Sequence, residues 1–98
     1  MNTYVVLVNL TDEGIGRIGD SPARMARVGE WVAEAGGRIK ATYLTMGECD
    51  FVVIFEMPGD IAMARLLLRI GGLGSVRTQS MRAFGEADYA RILEGLNP

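Results

Sequence analysis

The sequence predicts an α+β fold: a four-stranded antiparallel sheet, two crossover helices on one face, and an extra helix at the C-terminal end. Three observations lead there. Tyr4-Val5-Val6-Leu7-Val8 and Phe51-Val52-Val53-Ile54-Phe55 are unbroken apolar runs. Successive side chains on a strand point to opposite faces, so each run asks for an apolar cover on both sides. Two further strand-like stretches mix charged, polar and apolar residues, as sheet edges do. Between the strands lie two amphipathic helical stretches with clear start and stop signals.

Tyr4 to Asn9 reads as the first strand. Leu10 to Asp20 is a connector rich in Thr, Asp and Gly, with room for one helical turn around Glu13 to Ile18. Asp20-Ser21-Pro22 then reads as a helix start, with Ser21 capping free amides and Pro22 at the first helical position. Met25, Val28, Val32 and Ala35 form an apolar stripe. Arg24, Arg27, Glu30 and Glu34 fall mostly away from it. Gly36-Gly37 ends the helix.

Arg38 to Met46 is the second strand. Strict alternation puts Ile39, Ala41, Tyr43 and Thr45 on one face and Arg38, Lys40, Thr42, Leu44 and Met46 on the other. Gly47-Glu48-Cys49-Asp50 is the turn into the third strand. Pro58-Gly59-Asp60 breaks that strand and opens a second helix with Asp60 as its cap. Its apolar positions are read as Ile61, Ala64, Leu67 and Leu68, with Gly71-Gly72 and Gly74 closing it. Ser75 to Phe84 is the fourth strand, with Arg77, Gln79 and Met81 opposed to Val76, Thr78, Ser80 and Arg82. Glu86 to Leu96 is a short final helix, turning Tyr89, Ile92, Leu93 and Leu96 toward the body.

This order is the split pattern of ferredoxin-like β-α-β-β-α-β folds. Right-handed crossovers place the first and third strands centrally and make the second and fourth the edges. The doubly apolar strands are therefore the central ones, so pattern and topology agree. Both crossover helices cover one face of the sheet. The other face should alternate if it met water, yet the central strands do not. Their far side offers about five large aliphatic or aromatic side chains, each worth roughly 1.5–3 kcal/mol if buried. Two covers fit: a second copy packing sheet against sheet, or the final helix folded across the face within one chain. The first is preferred, because that helix is short and has one modest stripe.

At 98 residues the chain is read as one domain spanning 1–98. Such a length buries roughly 60–65% of its unfolded surface, so the core is thin. Apolar residues make up 49% of the chain, which again asks for a partner surface or an exposed patch. The net charge of −2, with a single Lys among ten basic residues, gives no electrostatic case for nucleic acid. The lone Cys49 excludes an intrachain disulfide. No apolar run approaches the ~20 residues of a membrane span, and the N-terminus has no leader pattern. A soluble cytoplasmic protein is expected. With no His in the chain, Ser-His-Asp and Cys-His systems, His-ligated zinc and His-ligated haem are excluded. No metal or other cofactor is expected. Any general acid or base must come from Asp, Glu, Tyr, Lys or Cys49.

Tyr43-Leu44-Thr45-Met46-Gly47-Glu48-Cys49-Asp50-Phe51-Val52 resembles the signature of the GYD domain family. Thr3-Tyr4-Val5, Thr11-Asp12-Glu13-Gly14, Asp20-Ser21-Pro22, Gly74-Ser75-Val76-Arg77-Thr78 and Arg82-Ala83-Phe84 match in the same order, over nearly the whole chain. The resemblance implies the dimeric α/β barrel version of the ferredoxin-like fold, in which two sheets meet face to face. It implies little about activity. Where the family pattern has Tyr before the turn Asp, this chain has Cys49, so no role for that phenol is implied here.

Six residues are candidates for ligand contact, each with a plainer reading beside it. Asp50, between the turn and a very apolar strand, either moves a proton or holds turn amides. Tyr43 either aims its hydroxyl into a pocket between sheet and helices or is a core or interface aromatic. Arg77 and Arg82, at opposite ends and on opposite faces of the fourth strand, either grip a carboxylate or phosphate or form ion pairs. Thr11 and Thr78 either donate hydroxyls to a ligand or serve as cap and edge residues. Cys49 has acidic neighbours and no cation to activate it, which argues against a nucleophile. Gly71-Gly72-Leu73-Gly74 follows a helix and leads into a strand, the reverse of a phosphate loop, so it reads as a terminator. Met25, Met46, Met57, Met63 and Met81 are expected to fill gaps in the core or an interface.

These features suit a homo-oligomeric small-molecule binding or sensing module. A metal-independent enzyme, such as an isomerase or cofactor-independent oxygenase, and a structural or partner-regulating oligomer are the alternatives.

Overall fold

The structure is a computed structural model and describes residues 1–96. Strand β1 (Asn2–Leu10) is followed by a short helix α1 (Asp12–Gly16) and a 3-10 turn, Ile18–Asp20. Helix α2 (Ser21–Glu34), strands β2 (Arg38–Leu44) and β3 (Phe51–Met57), helix α3 (Asp60–Gly72), strand β4 (Val76–Ala83) and helix α4 (Glu86–Glu94) complete the order. The sheet is antiparallel throughout, with spatial order β2-β3-β1-β4. The two apolar strands are central and the two mixed strands are edges, as the sequence predicts.

Tyr4 and Val6 of β1 and Phe55 and Met57 of β3 meet Val32 of α2 and Met63, Leu66 and Ile70 of α3 in one buried cluster. These strand residues therefore face the helices, and their alternates face away. On the outer face Val5 pairs with Ile54 and Leu7 with Val52, flanked by Met81 and Gln79 of β4. The two helices are joined over this core by Arg69 of α3, whose guanidinium lies 4.2 Å from the Trp31 ring centroid on α2.

Four local readings are corrected. Ser21 does not cap α2; it is helical itself, and its amide donates to the Ile18 carbonyl. The 3-10 turn runs directly into α2 and satisfies that amide. Asp60 is the first residue of α3 and makes no cap bond there; its carboxylate instead accepts the Tyr4 hydroxyl. The buried stripe of α3 is Met63, Leu66 and Ile70, leaving Ile61 and Leu68 77% and 79% exposed. The helix is apolar nearly all round, so two stripes at three- and four-residue spacing competed. The fourth correction is in β2, where the register slips between Ile39 and Ala41, so Lys40 is an extra residue. Ile39 pairs with Phe55 and Thr42 with Val53, both on the helix side, while Ala41 and Tyr43 pair with Ile54 and Val52 on the outer side. A bulge of this kind reverses the alternation read from sequence.

Helix α4 has no buried residue, and Tyr89, Ile92, Leu93 and Leu96 remain exposed. It does not turn its apolar stripe into the body of the chain. The radius of gyration, 15.0 Å, exceeds the about 13 Å of a compact chain this long. Met57 and Met63 are core residues as expected, whereas Met46 is wholly exposed. Among the described residues no helix is long and apolar enough to cross a membrane.

Candidate ligand site between sheet and helices

A partly open cavity of about 120 Å³ lies between the helix face of the sheet and α2. Its floor is Val6, Val8, Phe51, Val53 and Phe55 of the central strands, with Ile39 and Thr42 from the bulged edge and Val76 and Thr78 from the other. Its roof includes Ser21, Arg24, Met25 and Val28 of α2, with Ile70 and Leu73 at the end of α3. The polar groups among these are hydroxyls and one guanidinium; none of the lining residues is acidic.

Arg24 is the exceptional member. Its Nη1 donates to the Arg17 carbonyl at 3.2 Å. Its Nη2 is shut away from solvent with no hydrogen-bond partner among the described residues. A buried donor left unpaired is costly, and more so on a charged group. A larger cleft lined by Glu13, Arg17, Asp20, Ala23 and Arg27 adjoins the cavity at Arg24, Leu73 and Ser75, which line both. Within it Arg17 is already paired, at 3.7 Å from Glu13 and 3.3 Å from Asp20. Arg24 has no acidic partner of its own among the described residues.

The six sequence candidates do not converge on one place. Thr78 lines the cavity. Tyr43 is 58% exposed on the outer face of an edge strand, because the bulge at Lys40 turns it away from the helices. Asp50 holds amides and carbonyls: its Oδ2 accepts from Leu10 N at 2.8 Å, and its own backbone bonds to Val8 and Thr45. It latches the end of β1 to the turn. Thr11 is a cap, its Oγ1 accepting from Gly14 N at 3.1 Å and donating to the Gly74 carbonyl at 2.7 Å. Arg77 donates to the Val76 carbonyl, and Arg82 lies 4.5 Å over the Phe84 ring while donating to backbone carbonyls of Thr3 and Ala83. The turn containing Cys49 borders a separate depression with Leu7, Asn9 and Gln79.

Sequence reasoning missed Ser21, Arg24 and Thr42. Positions 21, 24, 28 and 32 follow the same helical spacing as the apolar stripe, so the signal for Arg24 was present beside Met25. Thr42 was hidden by the bulge.

The model of the GYD domain family matches residues 4–93. The chain belongs to the GYD domain family. A Thermus thermophilus relative named glutamine synthetase and cystathionine beta-lyase binding protein is 35% identical over 95 residues, 96% of this chain and all of that one. Among solved structures, a feast or famine regulatory protein from M. tuberculosis, complexed with L-methionine, superposes with a TM-score of 0.66 at 24% identity over 87% of this chain. This GYD chain spans about half the length of that regulator, 51%. A crystal structure of a Thermus thermophilus protein gives 0.55 at 23% identity, over 87% of this chain and 95% of that one. At such identities the structural likeness establishes the α+β ferredoxin-like fold.

Proposed function

We propose that this GYD protein is a small-molecule binding or sensing module that works as a pair of copies joined through the outer sheet face. The observation that carries the binding role is the largely apolar cavity between sheet and α2, with Ser21, Arg24, Thr42, Ser75 and Thr78 as the polar members of its lining. Largely apolar cavities with a few placed polar groups are the ordinary form of small-ligand sites. The pairing is supported by Val5, Leu7, Val52 and Ile54, which one chain leaves without a helix cover, and by the unpartnered stripe of α4. A cytoplasmic location belongs to the same reading.

Thermal unfolding in the presence of a broad set of small acids, amides and aromatics tests the role. A ligand of the native state raises the unfolding temperature in proportion to RT ln(1 + [L]/Kd). Stabilisation that disappears when Thr42→Ile narrows the cavity is expected. A library that leaves the unfolding temperature unmoved would contradict the reading.

A second reading is protein docking. It is favoured by the exposed Ile61, Ala64 and Leu68 on α3, and by the name of the Thermus relative, which describes a binding protein for two enzymes. Affinity capture with Ile61→Asp/Leu68→Asp protein as the control would separate this role from the first, since those residues are not among the ones lining the cavity.

A further inference from the structure

We infer that helix α4 is an arm that docks on the outer ridge of α3 in a second copy of this chain. The inference goes beyond the binding role and does not rest on it. Three observations choose the occupant. The first is reach. Tyr89, Ile92, Leu93 and Leu96 recur at three- and four-residue steps along α4 and the turn that ends it, and none is buried. Ile61, Ala64 and Leu68 recur likewise on the side of α3 turned away from Met63, Leu66 and Ile70. Only Phe84 and Gly85 join β4 to α4. The three steps from Ala83 to Glu86 span at most about 11 Å. To lie on the ridge of its own α3, the arm would have to clear the whole width of that helix, roughly 10–12 Å, and then stand a further 8–10 Å axis to axis. The connector is too short, so the arm meets this ridge only in another molecule.

The second is spacing. Ile61 to Leu68 and Tyr89 to Leu96 are ridges of equal length, each about 10.5 Å along its helix axis. Ridges of that spacing pack side by side. The third is charge. The arm carries Glu86, Asp88 and Glu94 against Arg91 alone. Helix α3 carries Arg65 and Arg69 against Asp60, whose carboxylate already accepts the Tyr4 hydroxyl. Arg65 stands in the ridge itself, exposed and outside every ion pair among the described residues. Two arms laid together would set like charge on like, and so would two ridges. Arm on ridge brings opposite charges together. Because arm and ridge are different patches, the contact runs head to tail, unlike a pairing of sheets.

Sedimentation equilibrium of Leu7→Lys protein, in which sheet-to-sheet pairing does not contribute, tests this. Two short helices bury a small area and associate weakly, so loading runs up to about 1 mM. The average mass is expected to exceed the 10.6 kDa of one chain and to rise with concentration. In that parent, Leu93→Asp spoils the arm and Ile61→Asp/Leu68→Asp spoils the ridge. Each is expected to weaken association at least about 30-fold, the effect of losing a central contact. Mixed in equal amounts, the two variants are expected to form a two-chain species, because one supplies an intact ridge and the other an intact arm. Arg65→Glu should weaken association about three- to tenfold at low salt and less at high salt. All these side chains are exposed, so far-UV circular dichroism is expected to match the parent. A parent of one chain mass at every concentration would overturn the inference. So would a loss on Leu93→Asp that Ile61→Asp/Leu68→Asp does not share, which would send the arm to the outer sheet face or to a foreign protein. Variants that each fail alone and do not complement on mixing, or an Arg65→Glu protein that associates unchanged at low salt, would equally contradict it.

Discussion

Single residues carry the tightest constraints in this chain. Gly14 is buried in α1, and a Cβ there would lie 2.0 Å from the Ser75 carbonyl oxygen. The same carbonyl accepts the Thr11 amide at 3.0 Å, so α1 and the start of β4 meet backbone to backbone. Gly14→Ala must push them apart and is expected to cost about 1–3 kcal/mol in urea unfolding, the range for overpacking. Tyr4 makes a pH-dependent contribution. Burial first, and then the hydrogen bond to Asp60, raise its hydroxyl above the ordinary 10.0, against smaller opposing effects of the Asn2 hydrogen bond and then of Arg82. The unfolded phenol ionises at the ordinary value, so it releases its proton before the folded one does. Its contribution is complete below pH 10.0 and is lost as pH rises through the higher folded value. Tyr4→Phe should flatten the alkaline limb of the stability profile. A limb of unaltered slope would show that another group governs it.

At the scale of elements, the strands were legible and the faces of two elements were not. Central and edge strands followed from apolar content alone, because a doubly covered strand cannot tolerate polar alternation. In β2 one extra residue, Lys40, moved Tyr43 to the outer face and Thr42 to the inner one. Nothing in a run such as Arg38-Ile39-Lys40-Ala41 marks a bulge, since no glycine or proline sits there. In α3 the chain offers apolar residues on all sides, so spacing could not choose between Ile61-Ala64-Leu68 and Met63-Leu66-Ile70. The structure separates them sharply. Leu66→Ala should cost about 2–5 kcal/mol, as deletions in a core do. Leu68→Ala should stay within about 0.5 kcal/mol, as surface changes do. Chemical denaturation of the two variants checks the assignment, and similar losses would contradict it. The candidate site was the least legible feature, because its charged member stands in a helical register that its neighbours made look solvent-facing.

The whole molecule is a sheet with two unlike sides. The inner side carries the core and the cavity. The outer side presents Val5, Leu7, Val52 and Ile54 between the edge residues Tyr43 and Met81, of which the last two are plainly exposed. Helix α4 leaves this surface no firm cover, having buried none of its own residues. Leu7→Lys should therefore leave one chain's inner core intact while breaking the proposed contact between copies, which size-exclusion chromatography would register as a smaller species with unchanged helical content. Retention of the larger species would place the contact elsewhere. The most direct measurement is sedimentation equilibrium of the wild-type chain at low micromolar concentration. The expected result is a folded species of at least twice the 10.6 kDa chain mass. A folded species of one chain mass, with a cooperative unfolding transition, would contradict the account of the outer face.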